Sequence, residues 1–195
     1  MNIANFFTAT RIGVAPLFVF IYYLPRYAGI TERTALLILI PLFIYMEFTD
    51  FLDGFYARKF KQVSNFGKLF DPFADVVANL TVLLAFMLSG YVPLPIFIII
   101  LYRELGILFL RMLARGNGIT IAAKKGGKIK TVCYILAEGF TLLIELLTVF
   151  SIVERSFADI LIVVNKVFYC IAAILSVGSF IDYLTSYRKN IRIGS

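Results

Sequence analysis

The sequence has no histidine, no tryptophan and only two cysteines among its 195 residues. Without imidazole or a cysteine cluster there is no ligand set for zinc or copper, so any metal the chain binds must be held by oxygen. Charge is scarce as well: Asp, Glu, Lys and Arg make up 16% of the chain, against 61% hydrophobic residues and a mean hydropathy of +0.89. A soluble domain carries about a quarter charged residues, so this balance excludes one. The net charge of +7 then has no soluble module to present it, which argues against nucleic-acid binding and for basic loops facing anionic lipid. No basic region precedes the first apolar run, Arg11 interrupts that run and no small-residue cleavage site follows, so a secretory signal peptide is not expected. Cys133 and Cys170 fall inside apolar segments, where each is expected to be a buried small hydrophobe rather than half of a disulfide. Internal repeats and low-complexity tracts are absent.

What is there is apolar sequence cut by short polar breaks. A transmembrane helix needs roughly 20 apolar residues, and the chain has room for about six with little left over. The predicted architecture is an all-α membrane protein, one integral-membrane domain over 1–195, with six transmembrane helices near 5–25, 34–58, 67–90, 93–115, 129–153 and 160–187. Pro25-Arg26 with Gly29, the basic stretch after Arg58, Gly90 with Pro93 and Pro95, Gly116-Asn117-Gly118 and the charged run Glu154 to Asp159 separate them. An even number of spans puts both termini on one side. That side also holds Arg58, Lys59, Lys61, Lys68, Arg111, Arg115, Lys124, Lys125, Lys128, Lys130, Arg188, Lys189 and Arg192, leaving Arg26, Arg33, Arg155 and Lys166 opposite. The positive-inside rule makes it the cytoplasmic face of the cell (inner) membrane.

Into this apolar background residues 50–75 set four aspartates: Asp50-x2-Asp53-Gly54-x2-Ala57-Arg58-x8-Gly67-x3-Asp71-x3-Asp75. Even one buried carboxylate is costly in hydrocarbon, so four in one stretch must bind cations, line water or stay protonated. Asp50 and Asp53 are i and i+3, Asp71 and Asp75 are i and i+4, so each pair shares a helix face. A short polar turn between antiparallel helices lets the two faces converge. Hard oxygen ligands favour Mg²⁺ or Mn²⁺, and four carboxylates suit two ions of the kind that clamp phosphoryl oxygens. Gly54 and Ala57 leave the helix surface bare for close approach, and Arg58 supplies a planar fork suited to phosphate.

At all eight positions this stretch resembles the signature of the CDP-alcohol phosphotransferases, D-x2-D-G-x2-A-R-x8-G-x3-D-x3-D. The opening Asn2-Ile3-Ala4-Asn5-Phe6-Phe7-Thr8-Ala9-Thr10-Arg11 is similar to the N-I-P-N-x2-T-x2-R start of the phosphatidylglycerophosphate synthase branch, with Ala4 in place of proline. Arg103-Glu104 followed by Arg111, and Gly127-Lys128-Ile129-Lys130-Thr131, are similar to the R-E-x6-R and G-K-x-K-T segments of that branch. The last third matches only in being hydrophobic.

The resemblance implies transfer of the phosphatidyl group of CDP-diacylglycerol to an alcohol, with release of CMP, in a family-like bundle that forms a homodimer. Asp50, Asp53, Asp71 and Asp75 would hold two Mg²⁺ (or Mn²⁺) ions, and Asp75, matching the family's last aspartate, would also take the acceptor proton. Asn5, Thr8, Asp50, Gly54, Ala57, Arg58 and Gly67 would shape the nucleotide and pyrophosphate pocket. In that branch the acceptor is sn-glycerol 3-phosphate, whose phosphate needs cations away from the metals, and Arg103, Arg111, Lys128 and Lys130 match.

Other readings stay open at this stage. Serine, inositol phosphate or phosphatidylglycerol could be the acceptor, because the signature reads only the donor. A divalent-cation transporter would also set carboxylates in membrane helices, though nearer the midplane and without the fixed Gly and Arg. Arg103 lies in mid-span and either reaches an anionic substrate or pairs with Glu104 or Glu138; Arg111 and Lys128 could be ordinary positive-inside charge. Glu138 and Glu145 share a helix face turned into the bundle or a subunit interface, and Glu47 sits one turn before Asp50, as a neighbour behind the site or a solvated one.

Overall fold

The computed structural model describes residues 3–59, 67–116 and 125–194, with the side chains of 3–5, 50, 51, 53–59, 68, 69, 125–128 and 189–194 outside the description. Six helices follow one another: α1 (Ile3–Tyr27), α2 (Glu32–Lys59), α3 (Gly67–Leu88), α4 (Leu94–Gly116), α5 (Lys125–Val149) and α6 (Arg155–Gly194). The described residues contain no strand.

Four of these helices carry stretches long and apolar enough to cross a membrane: Phe6–Tyr27, Phe70–Leu88, Ile129–Val149 and Arg155–Arg188. The chain is a multi-pass membrane protein. α2 and α4 do not qualify by length and composition among the described residues, so four of the six expected spans are long and apolar enough to cross. α4 carries Arg103, Glu104 and Arg111 within its length and α2 runs into the aspartate motif; such charges are tolerated at membrane depth only when paired or functional.

α1 packs against α2 and α3, α5 against α6, and α4 bridges α6 and α3, while α2 and α3 both touch α5. One apolar cluster joins all six helices, with Phe18, Leu39, Phe86, Ile100, Tyr134 and Tyr169 among its members. Phe18 meets Phe86 edge to face, ring centroids 6.0 Å apart. The outward faces are as apolar as the core: Leu37, Ile44, Ile98, Phe109, Leu136, Val163 and Ile174 are all exposed. In water this would drive aggregation; in a bilayer it is the surface that lipid tails cover, and helix association rests on packing and polar contacts instead. The same distinction corrects the expectation for the cysteines. Both are free thiols, but Cys133 is half-buried and Cys170 is exposed on the outer face of α6.

Two helices end in the same left-handed device. At the end of α3 the amide of Gly90, with φ 85°, donates to Met87 O and that of Tyr91 to Phe86 O. At the end of α5 Ser151, with φ 55°, donates to Thr148 O and Ile152 donates to Leu147 O. Both pairs of bonds satisfy carbonyls that the helix cannot. α4 then starts after Pro93, with Pro95 in its first turn where no amide is needed. α6 begins at Arg155, so the charged run expected as a break is mostly its first turn, with Glu154 O accepting from the amides of Phe157 and Ala158.

Candidate active site

The first turns of α1 lie across the motif helices. Thr8 Oγ1 donates to Asp71 Oδ1 at 2.9 Å, and Arg11 Nη1 donates to Asp75 Oδ1. The geometry follows from two helical periods in register: Thr8 and Arg11 are one turn apart on α1, as Asp71 and Asp75 are on α3. Thr8 and Arg11 are 0% and 3% exposed, whereas the Asp75 side chain is 48% exposed. The carboxylate pair is therefore gripped from its buried side and open on the other. Between these two contacts Thr10 ties α1 to α2, accepting from Tyr45 OH at 3.2 Å and donating to Phe7 O at 2.8 Å. Tyr45 lies five residues before Asp50, so α1 fixes α3 at the carboxylates and α2 just ahead of them.

Thr8 and Asp71 were expected at the site, and the structure joins them directly. Arg11 and Tyr45 were not among the expected site residues. For Arg11 the signal was present, since Thr8-x2-Arg11 has the one-turn spacing of the aspartate pairs; nothing in the sequence marks Tyr45. Gly67 is the buried first residue of α3. The side chains of Asn5, Asp50, Asp53, Gly54, Ala57, Arg58 and Lys128 lie outside the described residues, although the backbone of α2 stays helical through Lys59 and so keeps the expected spacing of Asp50 and Asp53. The donors that are described fit a hard divalent cation: Asp71 and Asp75 present carboxylate oxygens one turn apart, each oriented through Oδ1 by a neighbour on α1, as ligating carboxylates usually are.

A second polar cluster joins α4, α5 and α6. Its centre is Glu104, whose Oε1 accepts from Lys130 Nζ at 2.5 Å, Arg103 Nη1 at 2.9 Å and Tyr134 OH at 3.3 Å. Arg103 also reaches α6, donating from Nε to Ser176 O at 3.0 Å and from Nη2 to Ser179 Oγ at 3.1 Å. Tyr134 OH shares its one proton between Glu104 Oε1 and Ser176 Oγ, the latter at 2.7 Å, and Lys130 Nζ stands 4.9 Å over the Tyr134 ring. Of the two partners open to Arg103, the structure selects Glu104. Two of the expected acceptor cations, Arg103 and Lys130, are thus brought together. Arg111 is half-buried two turns further along α4, close enough to Tyr183 of α6 to interact with it.

Two further acidic residues on α5 turn inward. Glu138 is buried within the bundle, beside the bonded set Thr141, Asn165 and Tyr169. Glu145 accepts from Tyr22 OH, linking α5 to α1. Glu47 is half-buried on α2.

A helical membrane bundle that clamps two of the signature carboxylates with its own first helix points to a class of enzyme. The CDP-alcohol phosphatidyltransferase family matches residues 1–177, and the chain belongs to it. Particular members are similar over more than four fifths of their length. The protein named CDP-diacylglycerol–glycerol-3-phosphate 3-phosphatidyltransferase in Treponema pallidum (strain Nichols) is 38% identical over 193 residues, 96% of this chain and 89% of the relative. Proteins of the same name in Bacillus subtilis (strain 168) and Mycoplasma genitalium (strain ATCC 33530 / DSM 19775 / NCTC 10195 / G37) are 39% and 33% identical. The first covers 82% of this chain and 84% of the relative, the second 93% and 82%. Family membership answers the alternative of a cation transporter in favour of phosphotransfer.

Proposed function

We propose that this protein transfers the phosphatidyl group of CDP-diacylglycerol to sn-glycerol 3-phosphate, giving phosphatidylglycerophosphate and CMP. The observation that carries the reading is the grip of Thr8 and Arg11 on Asp71 and Asp75, which sets two signature carboxylates in a fixed, half-open pair. The names of the relatives supply the substrates.

Asp50, Asp53, Asp71 and Asp75 are the ligand set for two Mg²⁺ or Mn²⁺ ions. When bound, such ions neutralise the charge that develops on the pyrophosphate oxygens. Thr8 and Arg11 hold the ligating carboxylates so that little reorganisation is needed during reaction. Asn5, Gly54, Ala57, Arg58 and Gly67 shape the nucleotide pocket, with the Arg58 fork on a phosphate. The acceptor hydroxyl oxygen forms a bond to the phosphorus that carries diacylglycerol, the bond from that phosphorus to the CMP oxygen breaks, and Asp75 takes the hydroxyl proton. Arg103, Arg111, Lys128 and Lys130 receive the acceptor's own phosphate.

The same reading makes residues 1–195 one membrane domain of a homodimer in the cell (inner) membrane. All six helices cross the bilayer, both termini lie in the cytoplasm, and the site faces the soluble acceptor there. The test is an acceptor screen: purified protein with CDP-diacylglycerol and Mg²⁺, following CMP release with glycerol 3-phosphate, serine, inositol phosphate and phosphatidylglycerol in turn. Release with glycerol 3-phosphate is expected; a preference for serine or another acceptor overturns the reading.

A further inference from the structure

We propose that Glu104 is the positioning residue of the acceptor subsite, a buried carboxylate that holds Lys130 and Arg103 ready for the acceptor's phosphate and sets the net charge that phosphate meets. The proposal rests on the phosphatidyltransferase reading above, which assigns cations to the acceptor and gives Glu104 no role.

A carboxylate 5% exposed inside a membrane bundle must be matched by several donors. Glu104 has three, and all of them converge on one oxygen, Oε1. Two of the three are cations expected at the acceptor. The third, Tyr134, anchors the carboxylate to α6 through Ser176 Oγ. Arg103 is anchored to the same helix by two further bonds, to Ser176 O and Ser179 Oγ. The last third of the chain, apolar and without a motif, is therefore the back wall of the cation cluster.

Without Glu104 the cluster would be self-repelling. Arg103 and Arg111 both lie within electrostatic reach of Lys130, so the three carry three positive charges around one ammonium. A lysine ammonium on a flexible stem relieves such repulsion by swinging away, whereas one bonded to a fixed carboxylate stays. Three cations less one carboxylate leave a charge of +2 among these four groups, and a phosphate monoester carries about −1.5 to −2 at neutral pH. An ammonium has three donors, so a Lys130 held by one keeps others to offer. The acceptor then meets a site already ordered, and affinity is not spent on immobilising the lysine.

A purely structural tie between α4 and α6 is the competing explanation, and the packing argues against its necessity. One turn beyond Arg103, a Cβ placed on Gly106 would come within 3.1 Å of the Phe180 ring. The two helices are thus already in close contact through a glycine and an aromatic side chain.

The experiment uses the full chain in phospholipid nanodiscs, with CDP-diacylglycerol and glycerol 3-phosphate varied separately. Glu104→Gln keeps the shape and removes the charge. It is expected to raise the acceptor KM about tenfold or more while the donor KM stays within about twofold, the scale of outer-layer effects at ordered sites. In a Lys130→Ala background the same change is expected to add less than about threefold, because its effect passes through the lysine. Tyr134→Phe, which preserves volume, is expected to raise the acceptor KM alone by about threefold, and it carries the test if Glu104→Gln does not fold. A Lys130→Ala variant with unchanged acceptor KM removes the acceptor assignment itself, and the role of Glu104 with it. If Lys130→Ala raises the acceptor KM but Glu104→Gln leaves it unchanged, or raises both KM values together, the positioning role is overturned while the reaction stands. An unchanged acceptor KM in Tyr134→Phe overturns it as well.

Discussion

Arg11 on α1 is bonded through Nη1 to Oδ1 of Asp75 on α3, 64 positions away in sequence. The arginine is almost fully buried and the aspartate is half-exposed, so the guanidinium fixes the carboxylate from behind without covering it. Replacing Arg11 by Ala is expected to lower kcat/KM by about 10- to 100-fold and to raise the Mg²⁺ concentration needed for half activity. Arg11→Lys, which keeps the charge and loses the planar fork, is expected to recover only part of the loss. CMP release titrated against Mg²⁺ measures both.

Thr8 makes the matching contact to Asp71 with a neutral hydroxyl. Thr8→Val removes the donor at nearly constant volume, while Thr8→Ser keeps it. The valine variant is expected to lose roughly tenfold in kcat/KM, consistent with about 1 kcal/mol for the hydrogen bond and some freedom gained by the carboxylate. The serine variant is expected to stay near wild type. Equal loss in both would place the effect in packing rather than in the bond.

Under the proposed mechanism the carboxylates themselves divide by role. Asp50→Asn, Asp53→Asn or Asp71→Asn, or removal of divalent metal with EDTA, is expected to abolish turnover in protein that still inserts into membranes. Asp75→Asn is expected to lose at least about 100-fold in kcat with much of the CDP-diacylglycerol affinity retained, the scale of losing a general base. Substantial turnover by Asp71→Asn, or an unchanged kcat in Asp75→Asn, would count against these assignments.

Arg111 and Lys128 lie on segments other than the aspartate helices, and under the proposed function they hold the acceptor's anion while the carboxylates serve the donor. Replacing either by Ala is expected to cost about 1.5 to 3 kcal/mol of charge-assisted contact, seen as a glycerol 3-phosphate KM raised tenfold or more. The donor KM is expected to change little. A shift in the donor KM alone would move these residues to the other substrate.

Ser151 adopts a left-handed conformation at the end of α5, where a side chain is unfavourable by about 1 kcal/mol or more relative to glycine. Ser151→Gly is expected to stabilise the protein by roughly that amount and to leave kcat unchanged, because the turn closes the helix end away from the carboxylates. Thermal unfolding in detergent, followed beside activity, checks it.

Much of the fold was legible because hydropathy and helical period are local properties. Six apolar runs became six helices, and Gly90 fell where a left-handed residue was needed. The aspartate spacing likewise announced its faces. What local pattern cannot give is the identity of the opposite face. Arg103 could pair with Glu104 or Glu138 by sequence alone, and only the docking of α6 behind α4 separates them. Ser176 and Ser179 are hydroxyls in an apolar helix, with no spacing to mark them as partners of an arginine. Cys170 was misjudged for a related reason, since in a bilayer both the core and the lipid face are apolar and hydropathy does not distinguish them. The polarity of α4 has a physical origin too: Arg103 and Glu104 are paired inside the bundle, whereas hydropathy counts each as a lone charge.

The apolar stretch of α6, Arg155–Arg188, is 34 residues long, about 51 Å at the helical rise. Even at about 40° of tilt, the steep end of what membrane helices adopt, it projects some 39 Å onto the bilayer normal, more than the roughly 30 Å of hydrocarbon. Part of its length therefore lies outside the hydrocarbon, and Tyr183, Tyr187 and Arg188 at its end are residue types suited to the headgroup layer. Measured back from Tyr187, Ser179 is about 12 Å along the axis. If that end is the one in the headgroup layer, an acceptor held by Arg103 under the proposed function would sit near the level where a phospholipid carries its phosphorus. A water-borne polyol phosphate and a membrane-bound nucleotide lipid would then face each other at one depth, neither leaving the medium that dissolves it.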